Sequence, residues 1–308
     1  MVEVFFMQFN VLWTGGLDST YRLCQLARQD VVVQPVYVVD KQRVMLQNEL
    51  KAQNVVMTGI LNCPSTKAFF LPVLKVEKDL IPVNSEIEKY YRNFVMEFRN
   101  GHQFHFLSTI SYLYDELELC QEQNDGFVSR NFTKHQAVLV KDEFGRKSIG
   151  DSGDFLCRLF FSKFKFPILD VSRKKMLLDL KEWKYDFILK DIFFCQSPID
   201  DKPCGLCINC QMKILDGLTF LFDKTSLHRA YMALYLRKVY GISYSDWFYR
   251  YYFYGKNEFS KMYISTFSFI PNQSVVRKNL NLYCNLFRKV MTFSTKRLLY
   301  LTANNIRV

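Results

Sequence analysis

The segment Val11-Leu-Trp-Thr-Gly-Gly-Leu-Asp-Ser-Thr20 narrows the choice of fold more than any other. It ends an apolar run, turns through two adjacent glycines and opens an amphipathic stretch at Ser19, the strand, turn and helix order of a nucleotide phosphate site. Gly15 and Gly16 carry no Cβ, so the backbone turns sharply and brings its N–H groups close to an anion. The N-terminus of the following helix adds its partial positive charge. The lysine and spacing of G-x-x-x-x-G-K-[ST] are absent, which excludes a Walker A loop. A Gly-Gly pair after a strand also serves ordinary turns. The Asp18-Ser19 pair at its offset and the βαβ pattern around it favour the phosphate reading.

Four thiols follow within sixteen residues, Cys195-x8-Cys204-Gly-Leu-Cys207-Ile-Asn-Cys210. Two C-x-x-C steps suit a closed tetrahedral sulfur site for Zn²⁺, with Gly205 freeing the turn between ligands. Four thiolates leave no open position, so such a metal is structural and not a water activator. A disulfide pair with free thiols, a redox C-x-x-C and an Fe–S cluster share the spacing. Upstream, in Phe166-Pro-Ile-Leu-Asp-Val-Ser-Arg-Lys-Lys-Met176, Ser172 caps a predicted helix over Arg173–Glu182. Its first turn carries Arg173, Lys174 and Lys175. Cations there oppose the helix dipole unless an anion binds, so either a phosphate contact or a solvated basic turn is expected.

The loop resembles the S-G-G-x-D-S signature of the PP-loop ATP pyrophosphatases, with Thr14 in the first serine position. Together with Pro167-Ile-Leu-Asp-Val-Ser-Arg173 and the cysteine cluster, in that order, it resembles the 7-cyano-7-deazaguanine synthase family over about residues 10–215. The resemblance implies an adenine nucleotide alpha hydrolase-like fold in which Thr14, Gly15, Gly16, Asp18 and Ser19 bind ATP phosphates with Mg²⁺. Arg173 stands where the family has a phosphate-contacting lysine, and Asp40 and Arg43 where it often carries an acid and a base near the nucleotide. By the same resemblance Cys195, Cys204, Cys207 and Cys210 hold zinc, and Asp18, Ser19 and Arg173 carry the catalysis. Phe194-Cys-Gln stands in place of the family's Ser-Cys-Tyr, and its glycine- and arginine-bearing substrate loop has no clear copy.

Strand and helix patterns alternate as a doubly wound, mostly parallel α/β sheet requires. Strands are expected near 2–13, 31–39, 54–61 and 69–76, with a short one at 117–121, and helices near 19–29 and 41–53. Residues 85–115 read helical, split at Gly101. Ligands in open sheets bind beyond the carboxyl ends of strands, so the loops after Trp13, Val39 and Cys120 should converge on one cleft. That makes Asp40, Arg43, Asp125 and Arg130 substrate-facing candidates, the last two as substrate-binding residues. His102 and His105 flank the helical region and more often pack or cap than catalyse.

Charge changes abruptly near residue 224. Residues 225–308 hold thirteen Lys/Arg against Asp246 and Glu258 alone, and so account for the whole net charge of +11. Residues 1–224 are balanced, 28 against 28. The chain is therefore read as a PP-loop domain over 1–224 and a basic, aromatic, mainly helical extension over 225–308. Such an extension suits either a partner rich in phosphates or carboxylates, or a helical cap whose aromatics are core. No run of eighteen apolar residues and no signal-peptide pattern appear, so no membrane association is expected. Nine cysteines, four of them clustered, suit a reducing cytoplasm.

The expected function is an ATP-dependent ligase, producing AMP and pyrophosphate, that adenylates a 7-deazaguanine acid and couples it to an amine. Divergent family members suggest a protein terminus as acceptor in bacterial anti-phage defence, docked on the extension. Nucleic acid is a second kind of acceptor, and a homodimer is compatible with the sequence. One alternative is the standard 7-cyano-7-deazaguanine synthase using ammonia; another is a tRNA base-modifying PP-loop enzyme, which would need a reactive thiol near the loop. A nucleotide-binding module without catalysis is the non-enzymatic alternative.

Overall fold

The computed structural model describes residues 7–98, 103–123 and 131–240. They fall into two units, the first ending at Phe194 and the second beginning at Cys195. The compositional boundary at residue 224 lies inside the second.

The first unit is built on a parallel sheet. Strand β1 (Gln8–Leu12) runs beside β2 (Val32–Val39), from Gln8 opposite Val32 to Leu12 opposite Val36, with helix α1 (Leu17–Ala27) as the crossover. Helix α2 (Leu46–Leu61) leads to β3 (Phe69–Phe70) and β4 (Leu74–Glu77), which pair in parallel with successive stretches of β2. The break between them has a chemical cause. Pro35 in β2 has no N–H to donate and faces the gap, where Pro72 interrupts the neighbouring chain. The Pro72 carbonyl is satisfied instead by the Gln34 side chain, whose Nε2 donates to it at 2.7 Å.

Beyond β1 the sheet grows the other way. Glu118 forms a parallel bridge to Val11, with Glu118 N to Asn10 O at 2.7 Å and Leu12 N to Glu118 O at 3.0 Å, and Lys165 bridges Glu118 in turn. β1 is thus the point at which the strand order reverses. The short hairpin β5 (Val140–Lys141) and β6 (Lys147–Ser148) bridges on to Phe166.

Helices α3 (Ser85–Phe98), α4 (Phe104–Ser111) and α5 (Phe155–Phe161) enclose the aromatic core. Phe94 stacks on Phe160 at 4.0 Å and on Phe98 at 4.4 Å, and Phe104 meets Phe161 edge-on at 4.9 Å. Local capping fixes where two helices start: Asn84 accepts from the Ile87 N–H ahead of α3, and Asp154 from the Cys157 N–H ahead of α5. Helix α6 (Arg173–Glu182) begins at Ser172, whose hydroxyl accepts from the Lys175 N–H, as its sequence predicts.

Charge is also buried beneath the sheet. Arg22 of α1 holds Glu118 through two bonds of 2.7 Å, and Arg146 lies 3.7 Å from the same carboxylate while pairing with Glu116 and Asp142. Both guanidinium groups sit over the Phe9 ring. Fully buried ions persist only with such partners.

Two sequence expectations are corrected. Residues 54–61, expected as a strand, complete α2. The β-branched pair Val55-Val56 suggests a strand, but Glu49, Ala52, Gln53, Val56 and Ile60 are the buried positions, a helical spacing that continues unbroken. Residues 117–121, expected as a strand, pair only through isolated bridges at Glu118, one to Val11 and one to Lys165. In the second unit, helix α7 (Ile208–Leu215) starts after Cys207 and carries Cys210, the last cysteine of the cluster, and α8 (Lys224–Tyr240) opens the basic extension. Residues 241–308, Gly101, His102, Asp125 and Arg130 lie outside the described residues.

Candidate functional site

The loops after three parallel segments of the sheet meet in one cavity of about 220 Å³ in the first unit. Thr14, Gly16, Asp18 and Ser19 come from the loop after β1, Asp40 and Arg43 from the loop after β2, and Cys120 and Gln121 from the segment after the Glu118 bridge. Val36, Val38, Phe106 and Leu119 give it an apolar wall. The cavity opens at the carboxyl ends of the parallel segments, where the strand order reverses, the usual ligand position in an open α/β sheet. It is smaller than the roughly 300–1,000 Å³ of most small-molecule sites, so it has room for one end of a large ligand.

The glycine loop has the geometry its residues dictate. Gly15 has φ +82°, a left-handed conformation costing a residue with a Cβ about 1–2 kcal/mol, and its carbonyl accepts from Phe193 N at 3.0 Å. A Cβ there would also sit 3.4 Å from the Cβ of Ala52 on α2. Gly16 occupies the N-cap of α1 and brings no side-chain acceptor, the condition under which a helix N-terminus takes an outside anion. The stem is fixed by polar bonds: Trp13 Nε1 donates to Thr20 Oγ1 and Gln53 Nε2 to the Trp13 carbonyl, both at 2.9 Å.

Charges at the cavity do not sum to a positive site. Its lining holds two carboxylates, Asp18 and Asp40, and one guanidinium, Arg43. Asp40 accepts from Lys78 Nζ at 2.7 Å, which holds its carboxyl below the usual range. Arg43 pairs with the buried Glu49 at 2.9 Å, and Tyr37 donates to the same carboxylate at 2.5 Å. Burial raises Glu49, and Arg43 and Tyr37 oppose the rise. A triphosphate placed here therefore needs an added cation. Asp18 offers the oxygen ligand class Mg²⁺ prefers.

Arg173 stands apart from the cavity lining and pairs with the buried Glu122 at 3.0 Å, while Lys175 reaches Asp179 at 2.8 Å. Two of the three cations opposing the α6 dipole thus have carboxylate partners within the chain. His105 bonds Glu88 at 2.5 Å and packs on Tyr91. Cys120 lines the cavity, but burial, and after it the Glu118 carboxylate, pushes its thiol well above the ordinary value. Cys24 is raised in the same direction by burial. Neither is a thiolate near neutral pH.

In the second unit the four cysteines of the cluster are all buried, and their sulfurs lie within 4.8 Å of one another. Cys204 Sγ is 3.8 Å from Cys210 Sγ, and Cys207 Sγ is 3.4 Å from it. A tetrahedron with metal–sulfur bonds of ~2.3 Å has edges of about 3.8 Å, so the donor set fits a metal such as zinc. Backbone N–H groups point at the sulfurs as well: Leu206 and Cys207 donate to Cys204 Sγ at 3.3 Å and Cys204 to Cys195 Sγ at 3.2 Å. Those bonds stabilise thiolates, which is the form a metal needs. Gly205, at φ +79°, lets this knuckle lie against α8. An added Cβ would fall 2.0 Å from the Ser226 carbonyl, and Arg229 Nε donates to the Cys204 carbonyl at 2.6 Å.

No model of a known protein family matches the chain, and neither does any curated protein. No helix among the described residues is long and apolar enough to cross a membrane. Sequence reasoning named Arg43 but missed its partners Glu49 and Tyr37, and the place of Gln121. Glu49 carried a signal, since it occupies the inward helical spacing of Gln53 and Val56, where an acid needs a partner.

Proposed function

We infer that the chain is an ATP-dependent ligase of the PP-loop type that activates the carboxylate of a 7-deazaguanine acid and passes the acyl group to an amine. The observation that carries this reading is the convergence of the α1 N-terminus, which has no side-chain cap, the Gly15-Gly16 turn and the segments after β2 and the Glu118 bridge on one cavity where the sheet reverses. In the first step the acid's carboxylate oxygen attacks the α-phosphorus of ATP and pyrophosphate leaves. In the second the amine nitrogen attacks the acyl carbon and AMP leaves, giving an amide. The loop N–H groups and Ser19 hold the departing pyrophosphate, and stabilising that developing charge is the main catalytic contribution. Asp18 would hold a Mg²⁺ ion, which would offset the carboxylates of the lining. Arg173 is paired with Glu122 and stands outside the cavity lining, so it is given no part in these steps.

Chemistry through a reactive thiol has less support, because Cys120 is held protonated. The four-cysteine zinc site is structural in this reading. The acceptor is a macromolecule docked on the basic residues of 225–308, with a protein terminus in anti-phage defence favoured by resemblance to divergent family members.

Pyrophosphate and AMP release from ATP with 7-carboxy-7-deazaguanine tests the reading. The wild type should release pyrophosphate on activating the acid and AMP once an amine is supplied, and Asp18→Ala should lower the rate by about 10²–10³-fold, the loss expected for a group serving the transition state, with the fold intact. Turnover to ADP and phosphate would refute it. Free nitrile made from ammonia as fast by a folded chain lacking residues 241–308 would replace the macromolecular acceptor with the small-molecule one.

A further inference from the structure

Gln121 lines the cavity three residues past the Glu118 bridge. One terminal atom of its amide, Oε1 as placed, is shut off from solvent and has no hydrogen-bond partner among the described residues. Turning the amide over would bury a donor instead of an acceptor, and either one left unpaired carries its full desolvation cost. Such an atom calls for a partner, and because Gln121 lines the cavity a turn of its side chain brings the amide to a ligand that supplies one. The same cavity presents Phe106, Leu107 and Leu119, an apolar wall on which a flat ring rests.

Resting on the ligase reading, we propose that Gln121 is a specificity-determining residue that reads the amino edge of a planar heterocycle. The ring lies along the apolar wall and donates an N–H to Gln121 Oε1. A buried acceptor selects rings carrying an N–H at that edge and rejects rings with only lone pairs there, because the mismatch leaves two polar groups unpaired. Adenine in ATP and a 7-deazaguanine acid both present such an edge, and experiment separates them.

Titration calorimetry on the full chain uses four probes: α,β-methylene-ATP and its 6-desamino analogue, and 7-carboxy-7-deazaguanine and its 2-desamino analogue. For one of the two pairs, wild-type binding should weaken about tenfold or more when the amino group is removed. Gln121→Met should show the same loss with the amino form and no further loss with the desamino form. Gln121→Glu, which keeps an acceptor, should retain most of the preference. Wild-type affinity indifferent to the amino group in both pairs overturns the proposal and decides it even if Gln121→Met fails to fold. Equal amino-ligand binding by a folded Gln121→Met overturns it too, while leaving the ligase reading standing. A wild type that binds neither methylene-ATP nor the acid overturns both.

Discussion

The cavity and the cysteine cluster are built in opposite ways. The cluster draws its donors from sixteen neighbouring residues, and a metal there would hold together what the chain already places together. The cavity takes Asp18, Asp40 and Gln121 from three segments up to 103 positions apart, and only the sheet aligns them. A local site stands or falls with its ligands; a distributed one stands or falls with the frame beneath it.

The largest effect should come from the cluster. Structural zinc contributes up to about 10–16 kcal/mol of apparent binding free energy, so Cys207→Ser should lose the metal and much of the stability of the second unit. Elemental analysis should give about one zinc per chain for the wild type and little for the variant. Hydrogen exchange should accelerate at residues 204–230, where Gly205 and the Cys204 carbonyl meet α8, while the amides of β1 and β2 keep their protection. Equal acceleration in β1 and β2 would break the contrast, since the cavity's frame would then depend on the cluster.

The frame of the cavity should respond next. Glu118→Gln keeps the shape but removes the charge that Arg22 and Arg146 share, and breaking a buried pair costs about 3–5 kcal/mol. Urea unfolding should show a lower midpoint with an unchanged slope. Methylene-ATP should also bind more weakly, because the bridge that carries Cys120 and Gln121 to the cavity starts at Glu118. Arg22→Met with Glu118→Leu should recover much of the stability, since apolar replacement of a whole buried pair is often neutral. An unaltered midpoint in Glu118→Gln would show that the frame is held by packing alone.

The same contrast explains what could be read from the residues. The Gly-Gly turn, the Ser172 cap and the four cysteines are local, and each stands where its spacing puts it. The βαβ alternation was equally legible, because β1, α1 and β2 carry clean periodicities. Residues 54–61 misled, since β-branched content weighed against a helical face that becomes visible only from Glu49 onward. The Arg173 partnership was hidden for a different reason. Three cations at a helix start signal a missing anion, but nothing in the local pattern says that the anion is Glu122, fifty-one positions earlier. Gln121 was invisible because an amide has no signature until its surroundings close over it.

The smallest effect is a local one and sharpens the comparison at its fine end. Asp223 precedes α8 and accepts from the Ser226 N–H at 2.7 Å, with Lys202 3.3 Å away. The bonds to Ser226 lower its pKa from 3.8 to about 2. The folded form therefore favours the ionised acid, and the cap contributes in full above the unfolded value, then fades as pH falls from about 4 towards 2. Replacing such a cap with Ala costs about 1 kcal/mol, and Asp223→Asn keeps the acceptor while removing the titration. Hydrogen exchange at the first turn of α8 should thus rise between pH 4 and 2 in the wild type more than in Asp223→Asn. Asp223→Ala should exchange faster at every pH. Because other carboxylates also protonate in this window, the difference between wild type and Asp223→Asn is the quantity that decides. Parallel curves for the two would assign the α8 start to its contacts with Gly205 and the Cys204 carbonyl, making this end of the helix part of the cysteine cluster's own frame.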